Sequence, residues 1–467
     1  MFYPCRILAR VVLQAETPII IGCGEKNGFT DSLIQKDVNG LPYIPASSIA
    51  GCLRHAIAPG VGKDVENAMF GFQKSGEGEG SRFIFTDGRM VSSDGLVVDG
   101  LHSIDFEGDA FYAHFAKLPI RDHVRISHKG AAEKGGKFDE EVVFKGTRFC
   151  FEVEFLPATD ADVNYMELVL QQLSMSCFRI GGGTRSGFGK VKVVELCKLK
   201  LNLHDEEDFA RYANKSSDLS DPVGFWKAVP RANLKSVDSE GWTVYQLNLK
   251  AADFFLFGSG TGDDEVDICN AMGTQIEWRD GKPCFSENLV LIPGSSVKGA
   301  ISHRVAFIYN KLKGITAEQI KADADANGVT FQEKALEYTG DNNLAVRTLF
   351  GSQKIGNISR GSVLISDVMR KGRTGKPTKI MNHVSVDRFT GGAVEGALFS
   401  EKPWASDKEL FNLELAVENS AIQEELVKKA FESTLKEIAS GVLPLGGGVN
   451  RGNGVFKGEV KRNGEVI

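Results

Sequence analysis

The sequence has no CxxC pair. Its eight cysteines, Cys5, Cys23, Cys52, Cys150, Cys177, Cys197, Cys269 and Cys284, are scattered, which leaves a cysteine zinc site without support. No apolar run is long enough to cross a bilayer, so no membrane partner is expected. The start, Met1-Phe-Tyr-Pro-Cys-Arg6, lacks the basic segment and apolar run of a signal peptide. Scattered thiols in a large chain without a signal point to a reducing, cytoplasmic setting. Positive charge is not in excess: 55 Lys and Arg stand against 61 Asp and Glu, a formal net charge of −6. That balance argues against a free-standing nucleic-acid binder, although a local basic strip can still hold phosphates. GxxxxGK[ST], GxSxG and HExxH are all missing, which excludes a P-loop, a nucleophile elbow and a zincin site.

What the chain does have is itself twice. Leu13 to Asp31, LQAETPIIIGCGEKNGFTD, aligns without a gap on Leu249 to Asp267, LKAADFFLFGSGTGDDEVD. IPASSIAGCLRH (Ile44 to His55) matches IPGSSVKGAISH (Ile292 to His303). AMFGFQ (Ala68 to Gln73) matches TLFGSQ (Thr348 to Gln353), and SRFIFTD (Ser81 to Asp87) matches GSVLISD (Gly361 to Asp367). IGGGTRSGFGKV (Ile180 to Val191) matches LGGGVNRGNGVF (Leu445 to Phe456). Chance matches would not keep this order, so the chain is a tandem duplication. With 467 residues, 42% of them hydrophobic, it can bury a core in each copy. The expected domains are residues 1–198 and 241–467. Residues 199–240 form a polar, charged connector that carries Pro222 and Pro230.

Each copy opens with an alternating strand, Ile7 to Leu13 and Val244 to Leu249. A loop ending in aspartate follows, then IP[AG]SS, where proline suits the approach to a helix and the serines suit its N-cap. The helices are expected over Ile49 to Ala58 and Val297 to Asn310. A second, amphipathic helix is marked by Val163, Met166, Leu170, Leu173 and Cys177, and by Ile422, Leu426, Ala430, Leu435 and Ile438. The glycine-rich loop and a last strand, Lys190 to Leu196 or Gly454 to Val460, close each copy. This order predicts an α+β protein of two tandem ferredoxin-like, RRM-like domains. Each copy also carries a long insertion before its second helix. One is Arg121 to Phe138, the other Arg370 to Lys379 followed by VSVDRFTGGAVEGALF. Charge runs are usually solvated faces, but two arms at one position suit a phosphate backbone.

The loops GGGxxR, Gly181-Gly182-Gly183 with Arg185 and Gly446-Gly447-Gly448 with Arg451, offer backbone N–H groups and an arginine to an anion. The helix starts offer a second anion site, with Ser47, Ser48, Ser295 and Ser296, and with Lys298 where copy one has Ala50. Asp31 and Asp267 hold one repeat position. Beside a phosphate site such a carboxylate can bind a divalent metal or orient an attacking hydroxyl, and RNA supplies its own 2′-OH. Aspartate is equally at home in a turn. His123 and His128 lie in the basic arm, where exposed loop histidines ordinarily do little, and His55 and His303 match on the first helices.

Asp31-Ser-Leu-Ile-Gln-Lys-Asp37, PYIPASSIAGCLRHAI and GGGTRSGFGKVKV resemble the RAMP superfamily of CRISPR-associated proteins, as do IPGSSVKGAISHRVA, VSVDRFTGGAVEGALF and LGGGVNRGNG. The likeness is nearest to the backbone subunits of type III effector complexes, and a tandem fusion is similar to III-D-like arrangements. It implies guide RNA, target RNA and other CRISPR effector subunits as partners. The arms would be thumbs that displace a base pair. Asp31 and Asp267 would be the catalytic and metal-binding residues of a metal-dependent endoribonuclease using Mg2+ or Mn2+. Arg54, Arg121, Arg125, Arg304 and Arg388 join the serines, Lys298 and the glycine-rich loops as expected RNA contacts. Copy one departs from the pattern at Ala46 and Ala50. In copy two the run from Asp267 to Ile292 is longer, and Asp263 and Asp264 compete with Asp267. A non-catalytic scaffold and a guide-precursor processing endonuclease are the competing readings.

Overall fold

Period-two patterning sets the central strand of each repeat, and burial shows what covers it. Trp242–Ala251 alternates buried and accessible residues, as a strand covered on one face must. Cys5–Ala15 is buried along both faces. The extra cover is the connector, whose Phe225, Trp226 and Val229 pack with Leu8, Cys197 and Leu201. The computed structural model describes residues 3–127, 130–220, 225–227, 229–232, 234, 237, 240–354, 356, 358–372 and 378–467. His128, Pro222, Arg373 and Lys376, which figure in the sequence reading, lie outside them.

The repeats share one topology. In the first, strands Val191–Asn202, Cys5–Ala15, Arg148–Phe155 and Phe83–Phe85 lie side by side in that order. In the second the order is Phe456–Arg462, Trp242–Ala251, Phe411–Glu418 and Val363–Ile365. The neighbours run antiparallel. With helices Ala46–Ile57 and Asn164–Gln172, or Gly294–Leu312 and Glu425–Ser440, each repeat runs β-α-β-β-α-β. This is the α+β order expected from the sequence. The last strand of the first copy runs on to Asn202, into the segment read as connector, and Arg231–Ala232 adds a short edge strand beside it. The arm of copy one is a hairpin, Ile120–Ile126 with Ala132–Glu141. Its counterpart in copy two pairs Met381–His383 with Phe399–Lys402.

The long run from Asp267 to Ile292 in copy two also has a place. It forms a hairpin, Met272–Arg279 with Lys282–Ile292, that crosses to copy one. There Ile276 joins the core, with Trp278 and Phe285 packed against it. Trp278 Nε1 donates to the carbonyl of Gly146 at 2.8 Å, and Arg148 lies 3.8 Å over the indole ring. Gly146 has no substitute here. Its φ is +93°, and a Cβ would stand 1.9 Å from the Ile276 oxygen.

Candidate functional site

Proline sets both helix starts. Pro45 and Pro293 are the N-caps of helices that begin at Ala46 and Gly294, earlier than expected. The serines are therefore not caps, and no side chain of the N-cap residue bonds the first turn. Two aspartates from the neighbouring strand ends do this work. The Ala46 N–H donates to Asp87 Oδ1 at 2.9 Å, and the Gly294 N–H donates to Asp367 Oδ1 at 2.8 Å. Asp87 and Asp367 close the same matched block, so their recurrence was the signal that sequence reading passed over. Ser47, Ser48, Ser295 and Ser296 are left in the first turn. Among the described residues their hydroxyls have no hydrogen-bond partner.

The glycine-rich loops are built alike. Gly182 N–H donates to the Ile20 carbonyl and Gly447 N–H to the Leu256 carbonyl, each at 2.7 Å, so these two are not free for an anion. The Gly181 N–H faces the Cys52 thiol. The free donors come next. Among the described residues the N–H groups of Gly183, Thr184 and Arg185, and of Gly448, Val449 and Asn450, have no acceptor. Gly183 and Gly448 take left-handed φ of +61° and +68°, and consecutive free donors after such a turn make an anion-binding concavity. The matching turns, Ser186 N–H to the Gly183 carbonyl and Arg451 N–H to the Gly448 carbonyl, make Asn450, not Arg451, the counterpart of Arg185. Arg451 turns back to Glu401 and stacks 5.3 Å from Phe399, which corrects its assignment as a free phosphate ligand.

The first loop docks on the second helix start. Asp367 N–H donates to the Gly187 carbonyl at 3.2 Å. A Cβ on Gly294 would come within 2.9 Å of Gly187 Cα. At this junction Arg185 lies close enough to Lys298 to act on its charge. Burial pulls the Arg185 guanidinium down to about 10, with Arg360 adding to the effect. Burial, then Arg185, lowers the Lys298 ammonium. Arg185 Nε donates to the Gly361 carbonyl. Among the described residues neither cation has an ion-pair partner within 4 Å, and Glu418, paired with Arg360 at 2.6 Å, is the carboxylate that partly offsets Arg185.

The other expected contacts divide. Arg121 is a correction: it is buried and pairs with Asp367 at 3.1 Å across the junction. Arg54 is held by Glu66 at 2.6 Å and Asn67 at 3.1 Å. Arg304 is held by Glu437 at 3.0 Å. Arg125 is mostly exposed and reaches Gln353 Oε1 at 3.1 Å. Arg388 is exposed beside Phe389, which is 99% exposed at the head of the copy-two arm. His123 is not an exposed loop residue. It lies within the hairpin with 10% of its side chain exposed.

Asp31 and Asp267 both lie exposed on loops at the arm base, each locked to the returning arm strand. Asp31 N–H donates to Asp139 Oδ1 at 2.8 Å, and Asp139 N–H to Asp31 Oδ2 at 3.2 Å. Asp267 N–H donates to Ser400 Oγ at 3.1 Å, while Ser400 N–H and Oγ–H donate to Asp267 Oδ2 at 2.8 and 2.9 Å. Those bonds hold the Asp267 carboxyl below the ordinary range. The surroundings differ in sign. Glu141 stands in copy one where copy two has Lys402. Lys402 pairs with Asp263 at 3.5 Å and with Glu265. Asp263 is also spent on the Glu265 and Val266 N–H groups at 2.9 Å. Among the described residues no three His, Cys, Asp or Glu side chains form a metal cluster. Asp31 and Asp139 are a carboxylate pair.

The duplicated loops and helix starts coincide with a family match. The RAMP superfamily model covers residues 12–192 and 285–457. The chain belongs to the RAMP superfamily. The two matched regions fall one on each repeat, and RAMP proteins bind RNA in CRISPR-associated complexes. The second match begins inside the crossing hairpin. No curated protein matches the chain. No helix of the described residues is long and apolar enough to cross a membrane.

Proposed function

We propose that this RAMP protein is a backbone subunit of a type III CRISPR effector complex that holds guide RNA and cuts the paired target RNA at the Asp31 loop. The observation that carries the cleavage reading is the exposed Asp31–Asp139 pair at the base of the arm. Two carboxylates fit a divalent ion that keeps waters and takes phosphate oxygens as its other ligands. Asp31 and Asp139 would hold such an ion, and Mg2+ or Mn2+ bound there supplies charge neutralisation at the phosphate. Asp31 orients the target 2′-OH and accepts its proton. The 2′-oxygen bonds phosphorus, and the 5′-oxygen leaves and takes a proton from water. Guide phosphates lie on Gly183 to Arg185, Lys298 and the free serine hydroxyls.

For copy two the scaffold reading has an observation of its own. Ser400 replaces the second carboxylate, and its N–H and Oγ–H both donate to Asp267 Oδ2. The test is cleavage of a labelled target by the assembled guide-loaded complex, with Mg2+ and with chelator. Asp31→Ala removes one metal-dependent cut while target binding survives, and Asp267→Ala removes little. If Asp31→Ala loses no cut, the chain is a scaffold. Cutting that persists in chelator would favour a processing-type ribonuclease.

A further inference from the structure

Two histidines that this function leaves unused hold the same place in both repeats. His123 lies opposite Phe138 in the arm hairpin, and His383 lies opposite Phe399. Each imidazole stacks on that ring, with centroids 4.8 and 4.9 Å apart. Each brings Nε2 within ion-pair distance of a glutamate, His123 at 3.0 Å from Glu140 and His383 at 3.1 Å from Glu401. Both contacts fall outside hydrogen-bond geometry, so that each Nε2 is buried without a hydrogen bond among the described residues. Each glutamate directly follows the residue that grips the loop aspartate, Asp139 or Ser400. Each also pairs in parallel with the residue after that aspartate, Ser32 or Ile268. The glycine-rich loop closes over the group. Phe188 meets His123 edge-on at 6.1 Å, and Asn453 Nδ2 donates to Glu401 Oε1 at 3.1 Å.

The neighbours of this His-Phe-Glu set have diverged between the copies: Asp139 against Ser400, Glu141 against Lys402, Phe188 against Asn453. The set has not. Glu401 is fully buried, and burying a carboxylate is costly unless it is well paired. Packing alone would be served as well by apolar residues of similar size. We propose that His123 and His383 are positioning residues. Through Glu140 and Glu401 each fixes the strand that grips the loop aspartate against the glycine-rich loop, and so aligns Asp31 or Asp267 with the RNA. The catalytic part of this inference rests on the proposed function.

The test uses the guide-loaded complex with His123→Leu, His123→Gln, Glu140→Gln and Asp31→Ala. His123→Leu lowers the single-turnover rate at the Asp31 cut by about 10-fold or more, with target affinity unchanged. It also speeds amide deuterium exchange over Asp31 to Leu33. His123→Gln keeps a polar group beside Glu140 and restores both. If His123→Leu fails to fold, Glu140→Gln carries the same two measurements. An unchanged cut and unchanged exchange overturn the proposal, as does an equal loss at every cut together with affinity. If Asp31→Ala removes no cut, the cleavage reading has failed. Exchange then decides alone: faster exchange confined to the loop supports positioning, and no change refutes it.

Discussion

Arg121→Met separates a structural arginine from an RNA-binding one. Its guanidinium lies 3.1 Å from Asp367 Oδ2, with 10% and 1% of the two side chains exposed. Methionine keeps most of the aliphatic stem but leaves the Asp367 carboxylate with the Gly294 N–H and only the weaker pull of Lys145 in place of its ion pair. Breaking a buried pair in this way costs about 3–5 kcal/mol. Adding Asp367→Asn removes the orphaned charge and keeps an acceptor for Gly294, so the double variant recovers about 2 kcal/mol. Urea unfolding followed by fluorescence includes the contact between the repeats, because Trp278, one of the four tryptophans, lies against Gly146. The pH dependence has a fixed sign. Burial pushes the Asp367 carboxyl up, against the pull of Arg121. A raised acid stabilises the fold fully below its unfolded pKa and loses that contribution as pH rises through the folded value. Without Arg121 the rise is larger, so the defect shrinks in acid and grows toward neutral pH. An unchanged urea midpoint, together with a shallower salt dependence of RNA affinity, would refute this reasoning.

Arg185→Ala and Lys298→Ala should each lower the slope of log affinity against log salt by about 0.7, the value per single-strand phosphate contact. Arg54→Ala, whose partner is Glu66, should leave the slope unchanged. Gly146→Ala forces a side chain into a left-handed residue and against the Ile276 carbonyl. The crossing hairpin should detach, at a cost above about 2 kcal/mol, and proteolysis near Asp280 should accelerate. Thiol labelling of the native chain should reach the exposed Cys284 first. Cys150, which burial pushes up to about 12, should react on unfolding alone.

Period and repetition made the architecture legible. Alternation marked the opening strands, and a spacing of three to five residues marked Glu425–Ser440, where Ala430, Leu435 and Ile438 are buried as expected. In copy one the helix ends at Gln172, so Cys177 falls beyond it. The contact between the repeats was not legible, because it depends on residues distant in the chain. Arg121 reads as a basic arm residue until Asp367 is seen beside it. The long run after Asp267 looks like drift from a compact motif, yet it supplies Ile276 to the other core. The glycine triplet was recognised, but which N–H groups are free depends on the Ile20 and Leu256 carbonyls that take up two of them.

The duplication works as an internal control on the aspartate loops. Both copies keep the loop aspartate, its lock on the arm strand and the His-Phe-Glu set behind it, so the geometry does not distinguish them. Charge does. Copy one sets Asp139 beside Asp31, and Glu141, two residues on, accepts from the Ile34 N–H. Copy two has Ser400 and Lys402 in those places, and Ser400 occupies an oxygen of Asp267 that a metal would need. A hydroxyl donor in place of a carboxylate removes a negative ligand, and Lys402, which pairs with Asp263 and Glu265, supplies none in its stead. The retained scaffold with exchanged charge therefore predicts that introducing Ser400→Asp and Lys402→Glu together raises metal-dependent cutting at the Asp267 loop. If that double variant gains no cut while Asp31 remains active, the difference between the copies lies in how RNA is presented rather than in charge.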